Sequence, residues 1–234
     1  MSLERVAVTG AGRGLGLELV RQWLAGGRRV FALARDPAGA ALEALMREHP
    51  ERLTAIACDV ADSASVAAAA DAVAERAPAL DGLVNNAGIY GGRGRLEALD
   101  FDDVRQVLDV NAVGPLRVAQ AFLPLLLRGV RPVRLVHVSS LMGSLGDNTS
   151  GGAYGYRMSK SALNMANRSL AHDLAEDGIL SATFHPGWVQ TDMGGPDARV
   201  SVVEAARSLI RSIEGLTPAA SGGFYDRDGK PLPW

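Results

Sequence analysis

Short apolar runs rich in β-branched residues alternate with longer segments of helical period along the whole chain. "RVAVT", "RRVFALA", "RLTAIAC", "DGLVNN", "VRLVHVSS" and "ILSATFH" predict strands. "LGLELVRQWLAG", "AGAALEALMREH", "SASVAAAADAVAER", "FDDVRQVLDVNAVGPLRVAQAFLPLL" and "YGYRMSKSALNMANRSLAHDLAED" predict helices between them. Strands separated by helices cannot form hairpins, so they pair in parallel through crossover connections. The strands carry no polar face, and a sheet made of them needs helices on both sides. The pattern therefore predicts an α/β, doubly wound open sheet rather than a closed barrel. The tail "GGFYDRDGKPLPW" reads as a last short strand and a turn, and Asp62 or Ser63 is placed to cap the alanine-rich helix. No linker or repeat interrupts the 234 residues, which predicts one domain over 1–234.

Composition narrows the class of partner. A formal net charge of -2 with 21% charged residues carries no clustered basic footprint for nucleic acid. The lone Cys58 cannot form an internal disulfide, and the four histidines lack ligand spacing, so no metal site is expected. "MSLERVAVTG" has no apolar leader core, and "AFLPLLL" is too short to span a bilayer. The expectation is a cytoplasmic protein acting on small molecules, with no membrane partner.

"VAVTGAGRGLGLELV" places Gly10, Gly12, Gly14 and Gly16 between the first strand and the first helix. Such a turn aims backbone N–H groups and the positive end of a helix dipole at a phosphate. Its spacing is G-x-x-x-G-x-G after Thr9, not G-x-G-x-x-G, and a bare turn without ligand is the alternative. The second strand should end at Ala34, where an acid would bind ribose hydroxyls and an arginine a 2′-phosphate. Arg35 stands there, while Asp36 before Pro37 reads as a helix N-cap. Arg13 adds a second guanidinium, and together the two arginines favour NADPH over NADH.

"TGAGRGLG", "NNAG" at 85–88, Asn111, a serine in "VSSLMG", "YRMSK" and "PGWVQTDM" together resemble the classical short-chain dehydrogenases/reductases, in order and over nearly the whole chain. "YRMSKSALN", "HPGWVQTDMGG" and the C-terminal string look most like the subgroup of Sniffer-type carbonyl reductases and bacterial C-factor proteins. The resemblance implies a seven-stranded Rossmann-type sheet and hydride transfer between NADPH/NADP+ and a carbonyl or alcohol. It implies cofactor contacts from Gly10, Arg13, Gly14, Leu15, Gly16, Arg35, Asp59, Val60, Asn86, Ala87 and Gly88. Pro186, Gly187, Val189 and Thr191 would hold the nicotinamide end, with Tyr156 and Lys160 touching the cofactor as well. It also implies a homodimer or homotetramer packed through the long helices near 101–127 and 154–177. Read from the residues alone, Asp59 is equally a turn residue and "NNAG" a post-strand turn.

Reducing a ketone requires a proton donor beside the hydride donor. Tyr156 and Lys160 lie four apart on one helix face, whereas Tyr154 has Met158 at that spacing. A free tyrosine titrates at about 10, and an ammonium about 4 Å away at an effective dielectric near 20 would lower it by roughly three units, or roughly 4 kcal/mol. Tyr156 is thus the expected acid and Lys160 its electrostatic partner. The family pattern Ser-x-x-Gly selects Ser140, with Ser139 and Ser144 as alternatives, to bind the developing oxyanion. Asn111 matches the asparagine that carries a water to the lysine, or marks a helix irregularity with Gly114 and Pro115. Leu141, Met142, Tyr90, Trp188 and Met193 flank the inferred pocket and suggest an apolar or aromatic substrate, with a glycine-rich lid over about 190–202. A serine hydrolase lacks its G-x-S-x-G elbow here. A non-enzymatic NADP(H)-binding signalling or sensor protein of the C-factor type is the alternative from another class.

Overall fold

The computed structural model describes residues 3–234. Seven parallel strands, β1 (Arg5–Thr9), β2 (Arg29–Ala34), β3 (Leu53–Ala57), β4 (Gly82–Asn85), β5 (Val133–Val138), β6 (Ile179–His185) and β7 (Phe224–Asp226), form one sheet in the order β3-β2-β1-β4-β5-β6-β7. Each predicted strand is present to within one or two residues. The order reverses between β1 and β4, and that switch point opens a crevice at the carboxyl ends of the strands.

Side chains along each strand alternate between two buried clusters although nearly all are apolar. Val6 and Val8 of β1 join one cluster and Ala7 the other; Val30 and Ala32 of β2 oppose Phe31 and Leu33 in the same way. The first cluster is closed by α1 (Gly14–Ala25), α2 (Ala40–Glu48) and α7 (Val202–Glu214), with Trp23, Leu42 and Leu209 fully buried. α3 (Ser63–Ala74) and α5 (Gly114–Leu126) close the second through Val66, Val73 and Phe122. Burial on both faces is what allows strands with no polar side. Asp62 caps α3 by accepting from the Ala64 N–H.

Two local expectations need correction, and one helix lies outside those expected. The single helix predicted over 101–126 is two, α4 (Phe101–Leu108) and α5, joined by a π-helical turn over Asp109–Val113. Pro115 has no N–H to give the carbonyl of Asn111, and the ladder is wider there. α7 went unrecognised, although Ser201 accepts from the Glu204 N–H and the S-x-x-E spacing announces a helix start. Asp36 does not cap α2, whose N-cap is Gly39; its carboxylate accepts from the Ala38 N–H in a turn of its own. The remaining long helix, α6 (Tyr154–Asp173), crosses beside β5 and β6 and carries Tyr156 and Lys160.

Candidate active site

The glycine turn leaves β1 at the switch point and is held there by one hydroxyl. Thr9 Oγ1 accepts from the N–H groups of Asn86 (3.0 Å) and Ala87 (3.1 Å), and donates to the Val84 carbonyl. Asn86 returns the contact, its side-chain amide donating to the carbonyls of Thr9 (2.9 Å) and Gly10. β1 and β4 are thereby locked at the point where the turn begins. A methyl group on Gly16 would lie 2.3 Å from the Gly10 carbonyl oxygen, and one on Gly10 2.8 Å from the Ala87 Cα, so neither position admits a side chain. α1 then starts with no side-chain cap and no acid in its first turn, which leaves its N-terminal N–H groups, at Gly14 and Leu15, for an anion.

Around this turn the other expected cofactor contacts divide. Thr191 arrives from the β6 side, its Cγ2 within 3.4 Å of the point a Cβ on Gly14 would occupy. Arg35 is exposed immediately beyond β2. Arg13 bonds Asp192 at 2.6 Å instead of standing free, both side chains being at least 75% exposed. Asp59 forms its own turn, accepting from the Ala61 N–H, and Val60 is held by Arg117 through its carbonyl. The 190–202 segment is a compact turn rather than an open strap. Val189 pairs with Val200, and Trp188 Nε1 donates to the Gly194 carbonyl at 2.7 Å. Pro186 and Gly187 join it to the end of β6.

The second half of the cleft is built from side chains of α6, β5 and the π-helical turn. Tyr156, 8% exposed, stacks on Tyr90 with ring centroids 4.5 Å apart. Of the three candidate serines, Ser140 is the one near enough to the Tyr156 phenol to oppose the rise in its proton affinity, and its hydroxyl accepts from the Met142 N–H at 3.1 Å. Ser139 is turned to Asn164 (2.8 Å), and Ser144 is engaged by the Asp147 N–H and the Trp234 carbonyl oxygen. Gly143 is required because a Cβ there would meet Lys160 Cβ at 2.7 Å, which explains the glycine of the Ser-x-x-Gly pattern. Lys160 Nζ donates to the Val138 carbonyl at 2.8 Å and lies 5.7 Å from the centre of the Tyr156 ring. Gly88 faces both Lys160 and Asn111; a methyl there would stand 3.6 Å from Nζ and 3.2 Å from Asn111 Oδ1.

Asn111 is fully buried, and its side chain clamps the backbone of one residue on both sides. Oδ1 accepts from the Ile89 N–H (2.9 Å), and Nδ2 donates to the Ile89 carbonyl (2.8 Å) and to Ser159 Oγ (3.0 Å). Beneath Lys160 runs a polar chain that motif reading did not anticipate: Asn85 donates to His137 Nδ1 (3.2 Å), Nε2 faces Ser181 Oγ (3.4 Å), and Ser181 donates to Asn167 (2.8 Å). This order of donors and acceptors requires a neutral imidazole with its proton on Nε2. Burial, and secondarily the Lys160 charge, push His137 down to about 3. The register signal was in place, since Asn85 pairs with His137 across β4 and β5.

The electrostatics differ from the sequence argument at one point. Burial pushes the Tyr156 phenol up to about 12; Ser140 opposes the rise and Tyr90 adds to it. The lysine does not bring it down toward neutrality: desolvation dominates at the phenol, and Nζ directs a proton to the Val138 carbonyl. Desolvation lowers Lys160 itself to about 8.

The chain matches the short chain dehydrogenase family over residues 4–199. It is 50% identical to C-signal of Myxococcus xanthus over 155 residues, 66% of this chain and 93% of that one. Among solved structures, NADPH-bound carbonyl reductase from chicken fatty liver superposes with a TM-score of 0.93 at 35% identity, all of both chains being covered. Carbonyl reductase Sniffer of D. melanogaster gives 0.92 at 33% identity, again over all of both chains. An ordered set of motifs, the strand order and these likenesses agree, and the chain belongs to the short-chain dehydrogenase/reductase family.

Proposed function

We propose that this chain is an NADP(H)-dependent carbonyl reductase that converts an aldehyde or ketone to an alcohol. The observation that carries this reading is the convergence of Ser140, Tyr156 and Lys160 in one buried cleft beside the uncapped start of α1. The uncapped N–H groups and the bare faces of Gly10, Gly16 and Gly88 fit a dinucleotide lying across the switch point. The NADPH-bound chicken relative supports the phosphorylated form. Gly10, Gly14, Leu15, Gly16, Asn86, Ala87, Gly88, Asp59 and Val60 would line it, with Pro186, Gly187, Val189 and Thr191 at the nicotinamide end and Arg35 beyond β2 at the 2′-phosphate. When bound, the reduced nicotinamide supplies the hydride.

Ser140 orients the substrate carbonyl and donates to its oxygen as negative charge develops. Tyr156 gives that oxygen its proton. A phenol held near 12 is protonated across the neutral range, so the donor is always loaded, and transfer becomes downhill once the oxygen is an alkoxide. Lys160, near 8, remains mostly an ammonium at neutral pH and favours the phenolate left behind. Asn111 holds the Ile89 segment against the site, and the family resemblance supports a role for it in carrying a water toward Lys160. Exposed Phe101, Met158 and Met165 on α4 and α6 support association of copies through this face.

The similarity to C-signal supports a second reading, an NADP(H)-binding signalling protein without turnover. NADPH oxidation followed against a panel of aldehydes, ketones, quinones and steroids separates the two. The reductase reading expects substrate-dependent loss of NADPH absorbance with at least one class; cofactor binding without turnover across the panel would leave the sensor.

A further inference from the structure

We propose that the substrate carries an anionic group, a carboxylate, on its apolar or aromatic body, and that Arg93 receives that group across the ring of Tyr90. The inference deepens the reductase reading and rests on it. Its basis is the segment after β4, which is anchored on both sides of Tyr90. Asn111 clamps Ile89 by both its N–H and its carbonyl. On the other side Asp103 accepts from the Gly92 N–H at 2.7 Å, and Gly91, with a φ of 71°, packs so closely on Val107 that a Cβ would come within 2.4 Å. Tyr90 is therefore delivered to a fixed place. Its ring stacks on Tyr156, and its hydroxyl reaches Met142 Sδ at 3.6 Å.

Arg93, three residues on, lays its guanidinium over the Tyr90 ring, 4.8 Å from the centroid. A guanidinium held over a ring face keeps its in-plane N–H groups available for the fork that matches a carboxylate. Among the described residues no carboxylate lies within ion-pairing distance of Arg93, although Asp103 contacts the neighbouring Gly92. Arg157, next to the proposed acid in the chain, is likewise without an acidic partner among the described residues; it reaches the Met142 carbonyl and Ser150 Oγ. The Tyr90 ring lies 4.5 Å from the Tyr156 ring and 4.8 Å from the Arg93 guanidinium, so a carbonyl held at Tyr156 and an anion held at Arg93 would both border Tyr90. That arrangement suits a substrate whose anion sits several bonds from its carbonyl, as across a benzene ring.

The test compares para-formylbenzoate with its methyl ester, using the full chain and NADPH at low ionic strength. The expected wild-type preference, the ratio of kcat/KM for acid over ester, falls about fivefold in Arg93→Gln, the value of one solvent-accessible ion pair. Arg93→Lys retains part of it, and Arg95→Gln, two residues along the same loop, leaves the ratio unchanged. An Arg93→Gln ratio equal to wild type overturns the proposal while the reductase reading stands. If neither aldehyde is reduced, the reductase reading fails for this class. Calorimetric binding of para-hydroxymethylbenzoate and its methyl ester then decides the anion question directly: acid binding lost in Arg93→Gln supports it, and equal binding of acid and ester overturns it.

Discussion

The two halves of the cleft are built on opposite principles. At the β1–α1 turn the specification is by absence: no Cβ on Gly16 or Gly10, no side-chain cap on α1, no acid in its first turn. Around Tyr156 the specification is by burial: a phenol, an ammonium and an imidazole are all taken out of water and held by a few hydrogen bonds. Backbone N–H groups have fixed polarity and need only geometry, so a binding half made of them tolerates little change of shape. Ionisable side chains take their properties from surroundings, so the second half depends on what dielectric and which neighbours they meet. Thr9, Asn86 and Gly88 join the halves, since they set the distance between β1 and β4 on one side and face Lys160 on the other.

The sharpest way to break this contrast is a pair of substitutions. Tyr156→Phe is expected to lower turnover by on the order of a hundredfold or more while NADPH still binds. Gly16→Ala, whose methyl would sit 2.3 Å from a backbone oxygen, should abolish measurable NADPH binding. Near-normal turnover in the first, or wild-type affinity in the second, would show that the division of labour is wrong.

Acid stability probes the buried half alone. His137, held to about 3, and His185, to about 4, stay neutral in the native state while an unfolded chain protonates near 6.5. The unfolded state then binds more protons, so this stability is complete above about 6.5 and is lost progressively as pH falls from there to the native values. Between pH 7 and 4, His137 alone should account for about 3 kcal/mol. Denaturant midpoints across that range should fall steeply for the wild type and less steeply for His137→Gln. An imidazole signal of His137 titrating near 6.5 in the folded protein would remove the argument.

The smallest effect concerns selectivity at the turn. Asp36 is committed to the Ala38 N–H, which leaves Arg35 as the free group past β2. Arg35→Asp should shift the kcat/KM preference from NADPH toward NADH by about tenfold, the scale of one charge-assisted contact. Unchanged constants for both cofactors would move the 2′-phosphate elsewhere, with Arg13 the next candidate once its bond to Asp192 opens.

Particular residues show how far motif reading reached. The strands and four of the predicted helices were legible because apolar period is a local property. The division at Asn111 was visible as Gly114 and Pro115, yet whether a proline bends, ends or widens a helix depends on what packs against it; here Gly114 lies against the Val60 carbonyl. α7 carries the S-x-x-E spacing of a helix start at Ser201 and Glu204, a signal present in the sequence itself. Ser140, Ser139 and Ser144 are indistinguishable as residue types, and only the path of the chain after β5 left one of them beside the phenol while engaging the other two elsewhere.

Order along the chain alone determined a parallel sheet covered on both faces, a glycine turn at its switch point and a tyrosine-lysine pair on one helix face, because these follow from periodicity and spacing. The protonation states were decided by tertiary structure. Helical spacing brings Lys160 alongside Tyr156, but the packing of β5 sends its ammonium to the Val138 carbonyl, and burial rather than the neighbouring charge controls the phenol. Proton affinity depends on the solvent and charges that remain within a few ångströms, and the folded chain alone places them.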